Sequence, residues 1–381
     1  MRIALLYHGF ELSVFMLNLG RFLQALGHEV FVLNPPLHIK HVARKLGVPT
    51  LYCSNKREDI LKCLTQNNIE RIVLWNGLNH KGLLDAARML NIKTYFAENG
   101  YFPNTLQLQE GGVNFSAGFD FSSSDTLLNT SFKRAKIDKV LIRDFKPLEL
   151  KFPTLLYLIE QIKRLFKTGS LKTFKTLKQI VLGKIAHIRF KYLSHKDLPE
   201  ISEIKPFVLV VLQVNSDTQI LHNSPYKNMY EVLDTLVPAL IKNGYKVLIK
   251  EHPDELELTN YNRYADNEKV FVVGRYPLDK LVQESDFVAL VNSSVGLQAL
   301  SKGKKVLLLG NAFYENIDGV VKCNLKTDSI QEALEKIKKA KYNPELIHRL
   351  TKHFKEEIFI RGNWRKPTVE FLSAVAERIL V

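Results

Sequence analysis

The alternation of short apolar runs with helical patterns constrains this chain most, because it occurs twice. In the first pass Arg2–Tyr7, Glu29–Leu33, Arg71–Leu74 and Lys93–Ala97 read as strands. Between them Leu12–Leu26, Glu58–Gln66 and Lys81–Met89 carry apolar residues at helical spacing. Gly27 follows the first of these where a helix C-cap is wanted. The pattern restarts after Pro206: strand Phe207–Leu212, helix Met229–Lys242 stopped by Asn243-Gly244, then strands Lys246–Ile249 and Val270–Val273. Helix Leu278–Glu284, strand Phe287–Val291, a helix from Val295 and strand Lys305–Leu309 complete it. Such alternation predicts parallel sheets covered on both faces, so the fold class is α/β with two Rossmann-like halves.

With 381 residues there is material for two cores. The divisions expected are 1–145, a basic connecting segment 146–204, 205–343, and helices over 344–381 packing back toward the first half. Each apolar stretch is interrupted by charge, so no membrane span is expected. The start, Met1-Arg2 and then Ile3-Ala4-Leu5-Leu6-Tyr7, meets His8-Gly9 too soon for a signal peptide and reads as a first strand. Three cysteines, Cys53, Cys63 and Cys323, form no CxxC pair; neither a zinc site nor a disulfide framework is expected, and a reducing cytoplasm is the simple reading. The first strand–helix turn lacks GxGxxG, and no Walker A motif occurs, so neither a dinucleotide cofactor nor ATP hydrolysis has support.

In open α/β sheets ligands bind beyond the carboxyl ends of the strands, which directs attention to the loops there. After Phe207–Leu212 comes Gln213-Val214-Asn215-Ser216-Asp217-Thr218-Gln219, rich in groups that hydrogen-bond sugar hydroxyls. Its carboxylate, Asp217, suits a nucleophile on an anomeric carbon or a general base, and equally suits an Asx turn or an N-cap. After Lys246–Ile249 comes Lys250-Glu251-His252-Pro253. Lys and His there can hold a phosphate and support its departure, or His252 can be an ordinary loop residue stiffened by Pro253. After Phe287–Val291 comes Asn292-Ser293-Ser294-Val295-Gly296, a phosphate site or a plain Ser cap at a helix start. In the first half, Glu98-Asn99-Gly100-Tyr101 and Gly111-Gly112-Val113-Asn114 offer a carboxylate and amides for an acceptor hydroxyl, or a glycine turn with a buried Glu–backbone contact.

Taken in order, Glu98-Asn99-Gly100-Tyr101, Gly111-Gly112-Val113-Asn114, Gln213-x-x-x-Asp217, His252-Pro253 and Asn292-Ser293-Ser294-Val295-Gly296 resemble the capsule polysaccharide synthesis and export family, whose characterised members are β-Kdo transferases. The resemblance runs from about Phe96 to Gly319. It implies a GT-B-like pair of domains facing a cleft and transfer of Kdo from CMP-β-Kdo with retention. It implies a catalytic set of Asp217 as nucleophile, Gln213 and His252, and a donor-binding set of Lys250, Pro253, Asn292, Ser293, Ser294 and Gly296. Glu98, Asn99, Tyr101 and Asn114 become the acceptor-binding set. No metal or cofactor is implied: CMP leaves as a phosphate ester, and cationic and N–H donors on that phosphate lower the barrier. Asp217 must remain ionised to attack. The acceptor implied is a lipid or glycolipid, lysophosphatidylglycerol being one candidate. A different nucleotide donor (a UDP-sugar or CDP-glycerol) and a catalytically silent export scaffold are the rival readings.

Net charge is +15, and Lys151–Lys196 holds eleven Lys and Arg against the single acid Glu160. Leu171, Phe174, Leu177, Val181 and Ile185 recur there at three- and four-residue spacing beside Lys172, Lys175 and Lys178. This basic amphipathic pattern predicts contact with an anionic membrane, peripheral on the inner face of the cytoplasmic membrane. No nucleic-acid motif accompanies the charge, and nucleic acid is not expected as a partner.

Overall fold

The computed structural model describes residues 1–6, 10–35, 37–54, 56–76, 80–149, 162, 185, 200–215, 217–255, 261–274 and 276–381. The expected basic amphipathic helix, with Leu171, Phe174, Lys172, Lys175 and Lys178, lies outside the described residues. The chain divides into two compact units, one of residues 1–120, 129–168 and 352–381, the other of 121–128 and 169–351.

The first unit is built on β1 (Arg2–Leu6), β2 (Glu29–Leu33), β3 (Thr50–Leu51), β4 (Arg71–Trp75), β5 (Lys93–Asn99) and β6 (Thr105–Glu110). Helices α1 (Phe10–Ala25), α2 (Leu37–Lys45), α3 (Arg57–Gln66) and α4 (Lys81–Met89) connect the first five strands; α5 (Ser124–Asn129) follows the sixth in sequence but groups, all but its last residue, with the second unit. β3-β2-β1-β4-β5 pair in parallel, while β6 turns back antiparallel on β5. Continuous apolar runs such as Ile3-Ala4-Leu5 are wholly buried, as strands covered on both faces must be. β6 departs from that rule. Gln107 and Gln109 are buried in it, and the Gln107 amide donates to Gln109 Oε1 at 3.3 Å.

In the second unit a short helix α6 (Ile201–Ile204) precedes β7 (Phe207–Val211), followed by α7 (Thr218–Asn223) and α8 (Met229–Lys242). Next come β8 (Lys246–Lys250), β9 (Val270–Val273), α9 (Leu278–Glu284) and β10 (Phe287–Leu290). α10 (Val295–Ser301), β11 (Lys305–Leu308), β12 (Val320–Lys322), α11 (Ile330–Lys339) and α12 (Pro344–His353) complete it. The six strands run in the order β12-β11-β10-β7-β8-β9, all parallel. The order reverses between β7 and β10, the topological switch point of a doubly wound sheet. Two Rossmann-like units in one chain are the make-up of the GT-B-like class. Among the described residues, no helix is long and apolar enough to cross a membrane.

Two sequence expectations need correction. The tail was read as helices alone, but between α12 and α13 (Val369–Ile379) lies β13 (Phe359–Arg361), antiparallel to β6 at the edge of the first sheet. Three residues are too few for period-two alternation to register. The cysteine count and spacing give no reason to expect a disulfide framework, yet Cys53 and Cys63 form a disulfide. They lie ten positions apart, but the chain leaving β3 passes α3, and their Cα atoms come within 5.9 Å. Sequence spacing and an odd total carry no trace of that proximity.

Candidate functional site

The second unit gathers three of the predicted loops at one end of its sheet. Val211 of β7 is in register with Lys250 of β8 on one side and Leu290 of β10 on the other. Gln213, His252 and Asn292 therefore each stand two residues beyond the same level. They emerge at the carboxyl ends of strands flanking the switch point, where a crevice opens in this topology.

Across the switch point the loops are tied by a reciprocal pair of hydrogen bonds. The Gln213 amide donates to Asn292 Oδ1 at 3.0 Å, and the Asn292 backbone N–H donates to Gln213 Oε1 at 3.1 Å. Asn292 Nδ2 donates onward to the carbonyls of Gln219 at 2.9 Å and Asn223 at 3.3 Å. Both amides are buried, so these bonds replace water that has been removed, and breaking one would strand its partner.

Asp217 is half-buried at the start of α7. Its Oδ1 accepts from Gln219 N at 2.9 Å, the N-cap bond, and its Oδ2 faces the Gln213 amide at 3.4 Å. The capping alternative for Asp217 is thus realised. It leaves the second oxygen turned toward the Gln213–Asn292 clamp. The loop is braced from behind by Asn215, a residue that sequence reasoning did not single out. Its N–H donates to Glu255 Oε2 at 3.0 Å, its amide to the Tyr261 hydroxyl at 3.1 Å, and its Oδ1 accepts from Met229 N at 2.8 Å. An Asn beside a predicted ligand loop, before a helix start, was the available signal.

Lys250 is buried at the end of β8, and its ammonium donates to the Glu251 carbonyl at 2.9 Å. Burial lowers its pKa to about 8, against the pull of Glu251. His252 Nδ1 accepts from Asp254 N at 3.1 Å, which leaves Nε2 as the protonated nitrogen of the neutral ring. Burial also lowers the His252 pKa, while Asp254 and Asp217 draw it up and Lys250 pushes it down. Asp217 and Lys250 are thus each within electrostatic reach of His252. Pro253 is exposed beside them.

Ser293 Oγ accepts from Val295 N at 3.3 Å, and the Ser293 carbonyl accepts from the Tyr314 hydroxyl at 2.6 Å. Ser294 has helical backbone angles and its side chain caps nothing. Gly296 is explained by packing: a Cβ there would stand 2.7 Å from Tyr314 Cζ. Only glycine lets the buried phenol reach the Ser293 carbonyl.

In the first unit, Glu98 Oε1 accepts from Asn99 N at 2.9 Å, and Asn99 Oδ1 accepts from Trp364 Nε1 at 2.9 Å. Tyr101 is buried and stacked on Phe359, with ring centroids 5.9 Å apart and planes 7° from parallel. Asn114 is buried with φ +55°, and its N–H donates to Gln107 Oε1 at 3.3 Å. These four residues share the region where β5, β6 and β13 meet. Among the described residues, no group of three His, Cys, Asp or Glu is placed to hold a metal.

Residues 70–364 match the model of a family described as capsule polysaccharide biosynthesis protein. Protein FixF of Sinorhizobium fredii is 26% identical over 66% of this chain and 51% of its own length. The capsule polysaccharide export protein KpsS of Escherichia coli is 24% identical over 45% of each. The chain thus spans about half the length of these curated relatives. A solved structure of Thermosulfurimonas dismutans KpsC, a β-Kdo 2,7 transferase, covers 85% of this chain and 99% of its own at 17% identity and TM-score 0.42. The match over residues 70–364 takes in most of the sequence and the loops after β7, β8 and β10, and the chain belongs to the capsule polysaccharide biosynthesis protein family.

Proposed function

We propose that the chain is a retaining glycosyltransferase that moves Kdo from CMP-β-Kdo to a lipid or glycolipid acceptor in capsule or other surface polysaccharide assembly. One observation carries the reading: Asp217, Lys250 and His252 stand together at the carboxyl ends of β7 and β8, beside the Gln213–Asn292 clamp over the switch point. Family membership and the motif order support it.

In this mechanism Asp217 attacks the anomeric carbon as the bond to the CMP phosphate breaks, giving a glycosyl ester and free CMP. An acceptor hydroxyl then displaces the carboxylate, losing its proton, so configuration is inverted twice and retained. Gln213 orients Asp217. Lys250 and His252 take up negative charge as the phosphate departs, with Ser293, Ser294 and the backbone of their loop as further donors. Pro253 stiffens the His252 turn, Asn292 fixes the loop, and Gly296 seats Tyr314 beneath it. On the acceptor side, Glu98 and Asn99 approach the incoming hydroxyl, while Tyr101 and Asn114 shape the turn from below.

The enzyme works at the inner face of the cytoplasmic membrane in this reading. Besides the basic stretch Lys151–Lys196, support comes from the turn at Val140-Leu141, 78% and 54% exposed, flanked by exposed Lys136, Lys139 and Arg143 against Asp138 and Asp144. Ile142 anchors the turn in the core, so the two aliphatic side chains protrude on a fixed base.

The test is incubation of purified protein with CMP-Kdo, CDP-glycerol and UDP-sugars, read by mass spectrometry with and without lysophosphatidylglycerol. A Kdo-sized adduct on Asp217 with CMP-Kdo alone, resolved by addition of acceptor, is the expected result. An adduct elsewhere, or turnover only with another donor, overturns it.

A further inference from the structure

The first unit contains a cavity of about 310 Å³ that the proposed transfer does not use. It is lined by Arg134, Lys355, Arg361 and Arg378, with Glu356 and Glu377 also on its wall, and floored by Phe359 and Ile360 of β13. Four cations against two carboxylates give it a positive balance. Its size is at the lower end of small-ligand sites.

The way these cations are held is unusual. Arg378 is 6% exposed, and its guanidinium donates to the carbonyls of Leu108 at 3.2 Å, Ile358 at 2.7 Å and Glu357. Its cationic carbon lies 4.6 Å from the Phe132 ring centroid. Among the described residues, no carboxylate lies within ion-pair distance of Arg378, Lys355 or Arg361. Arg134 is paired with Glu357 Oε2 at 3.1 Å, and Glu377 accepts from the Ser373 hydroxyl at 3.3 Å. The Lys355 ammonium sits over the Phe102 ring at 4.7 Å. The buried guanidinium is thus held mainly by carbonyl dipoles, with the Glu357 carboxylate shared at longer range with Arg134, a second guanidinium close enough to repel it. Burial first, and then Arg134, lower the Arg378 pKa to about 10, while the nearby Glu357 carboxylate pulls it the other way. An anion seated between them would relieve the repulsion and receive forked donors.

We propose that this cavity is a binding site for a phosphate-bearing ligand, with Arg378 as its buried base and Lys355 and Arg361 as its outer cations. The chemistry is shared by a free phosphate and by the headgroup of a phospholipid. The site stands on the first unit alone and does not rest on the transferase reading.

The test is titration calorimetry of the full chain with inorganic phosphate at constant ionic strength, in saturating CMP to occupy any nucleotide phosphate site on the second unit. Saturable phosphate binding that chloride does not match is expected. It should weaken at least tenfold in Lys355→Gln/Arg361→Gln, since each charge-assisted bond lost costs roughly tenfold or more. These two positions do not carry the core, so the double variant should melt like the parent. A second arm uses dihexanoyl phosphatidic acid below its micelle concentration. Tighter, equally variant-sensitive binding assigns the site to a lipid headgroup; affinity no better than that of inorganic phosphate assigns it to a soluble ligand. Phosphate affinity equal in parent and double variant, or indistinguishable from chloride, overturns the proposal.

Discussion

The two units share one architecture and use its carboxyl ends differently. In the second, the ends of β7, β8 and β10 and the loops after them carry amides, a carboxylate, a buried lysine and a histidine, and the Gln213 and Asn292 amides are bonded across the switch point. In the first, the residues at the end of β5 and in the turns after β5 and β6 are largely committed to packing: Tyr101 lies on Phe359, Asn99 receives the Trp364 indole, and Asn114 is buried in a left-handed turn. An antiparallel pair, β6 and β13, extends that sheet past β5 and fills the space with aromatic rings. A Rossmann-like sheet supplies a place for chemistry. Whether chemistry occupies it depends on what closes over the strand ends.

The largest test of this contrast is Asp217→Asn. Asparagine caps a helix as well as aspartate does, so the bond to Gln219 N survives and thermal stability should stay within about 0.5 kcal/mol. Transfer should nevertheless fall by roughly a thousandfold or more, because the nucleophilic charge is gone. Wild-type turnover in this variant would reduce Asp217 to a cap. Next come His252→Ala and the pair Ser293→Ala/Ser294→Ala, each expected to lower kcat about a hundredfold through loss of donors to the leaving phosphate. Unchanged kinetics in both would move the donor site away from these loops.

Gly296→Ala should act at one remove. A methyl group against Tyr314 pushes the phenol off the Ser293 carbonyl, with a cost of about 1–3 kcal/mol in stability and weaker CMP binding. Tyr314→Phe in the same background should recover part of the stability, because the hydroxyl is the nearest obstacle, but not the CMP affinity. Recovery of both would mean the carbonyl clamp does not position the loop.

The motif resemblance made all of these loops visible, yet it did not distinguish residues that act from residues that hold. Gly296 entered as a donor-site element, and the structure gives its reason as steric. Asn215 did not enter, although it makes three hydrogen bonds behind the loop. Strong periodicity made helices such as Met229–Lys242 and Lys81–Met89 legible to the residue. β6 was missed because its buried face carries Gln107 and Gln109 where apolar residues announce a strand, and β3 because two residues show no period. The Cys53–Cys63 bond is a tertiary fact with no local signature.

Acidity offers a subtler probe. Lys250 carries its charge below a pKa of about 8, well under that of an ordinary lysine, so the cation proposed to meet the departing phosphate is half lost at pH 8 and mostly lost a unit above. Between about 8 and the ordinary lysine value the unfolded chain binds the extra proton, so Lys250 makes stability rise with pH across that window. Activity should fall across the same window. CMP phosphate should restore the charge by taking up a proton near pH 8, measurable as a buffer-dependent binding enthalpy in calorimetry. Absence of proton uptake would place Lys250 away from the phosphate.

The smallest effect is predicted for Tyr101→Phe, and it bears most directly on the contrast between the units. The ring is buried and nearly coplanar with Phe359, so phenylalanine keeps the stacked contact and the apolar area. Only the hydroxyl is lost, at a cost of about 1 kcal/mol where it holds a hydrogen bond. Melting should therefore drop by a few degrees at most, while the acceptor KM and kcat stay within about twofold of the parent. Glu98→Gln in parallel should raise the acceptor KM about tenfold, since Glu98 is the half-buried carboxylate proposed to meet the incoming hydroxyl. A tenfold KM effect in Tyr101→Phe instead would put the phenol on the acceptor, and the strand end after β5 would then do chemistry as the strand end after β7 is proposed to do.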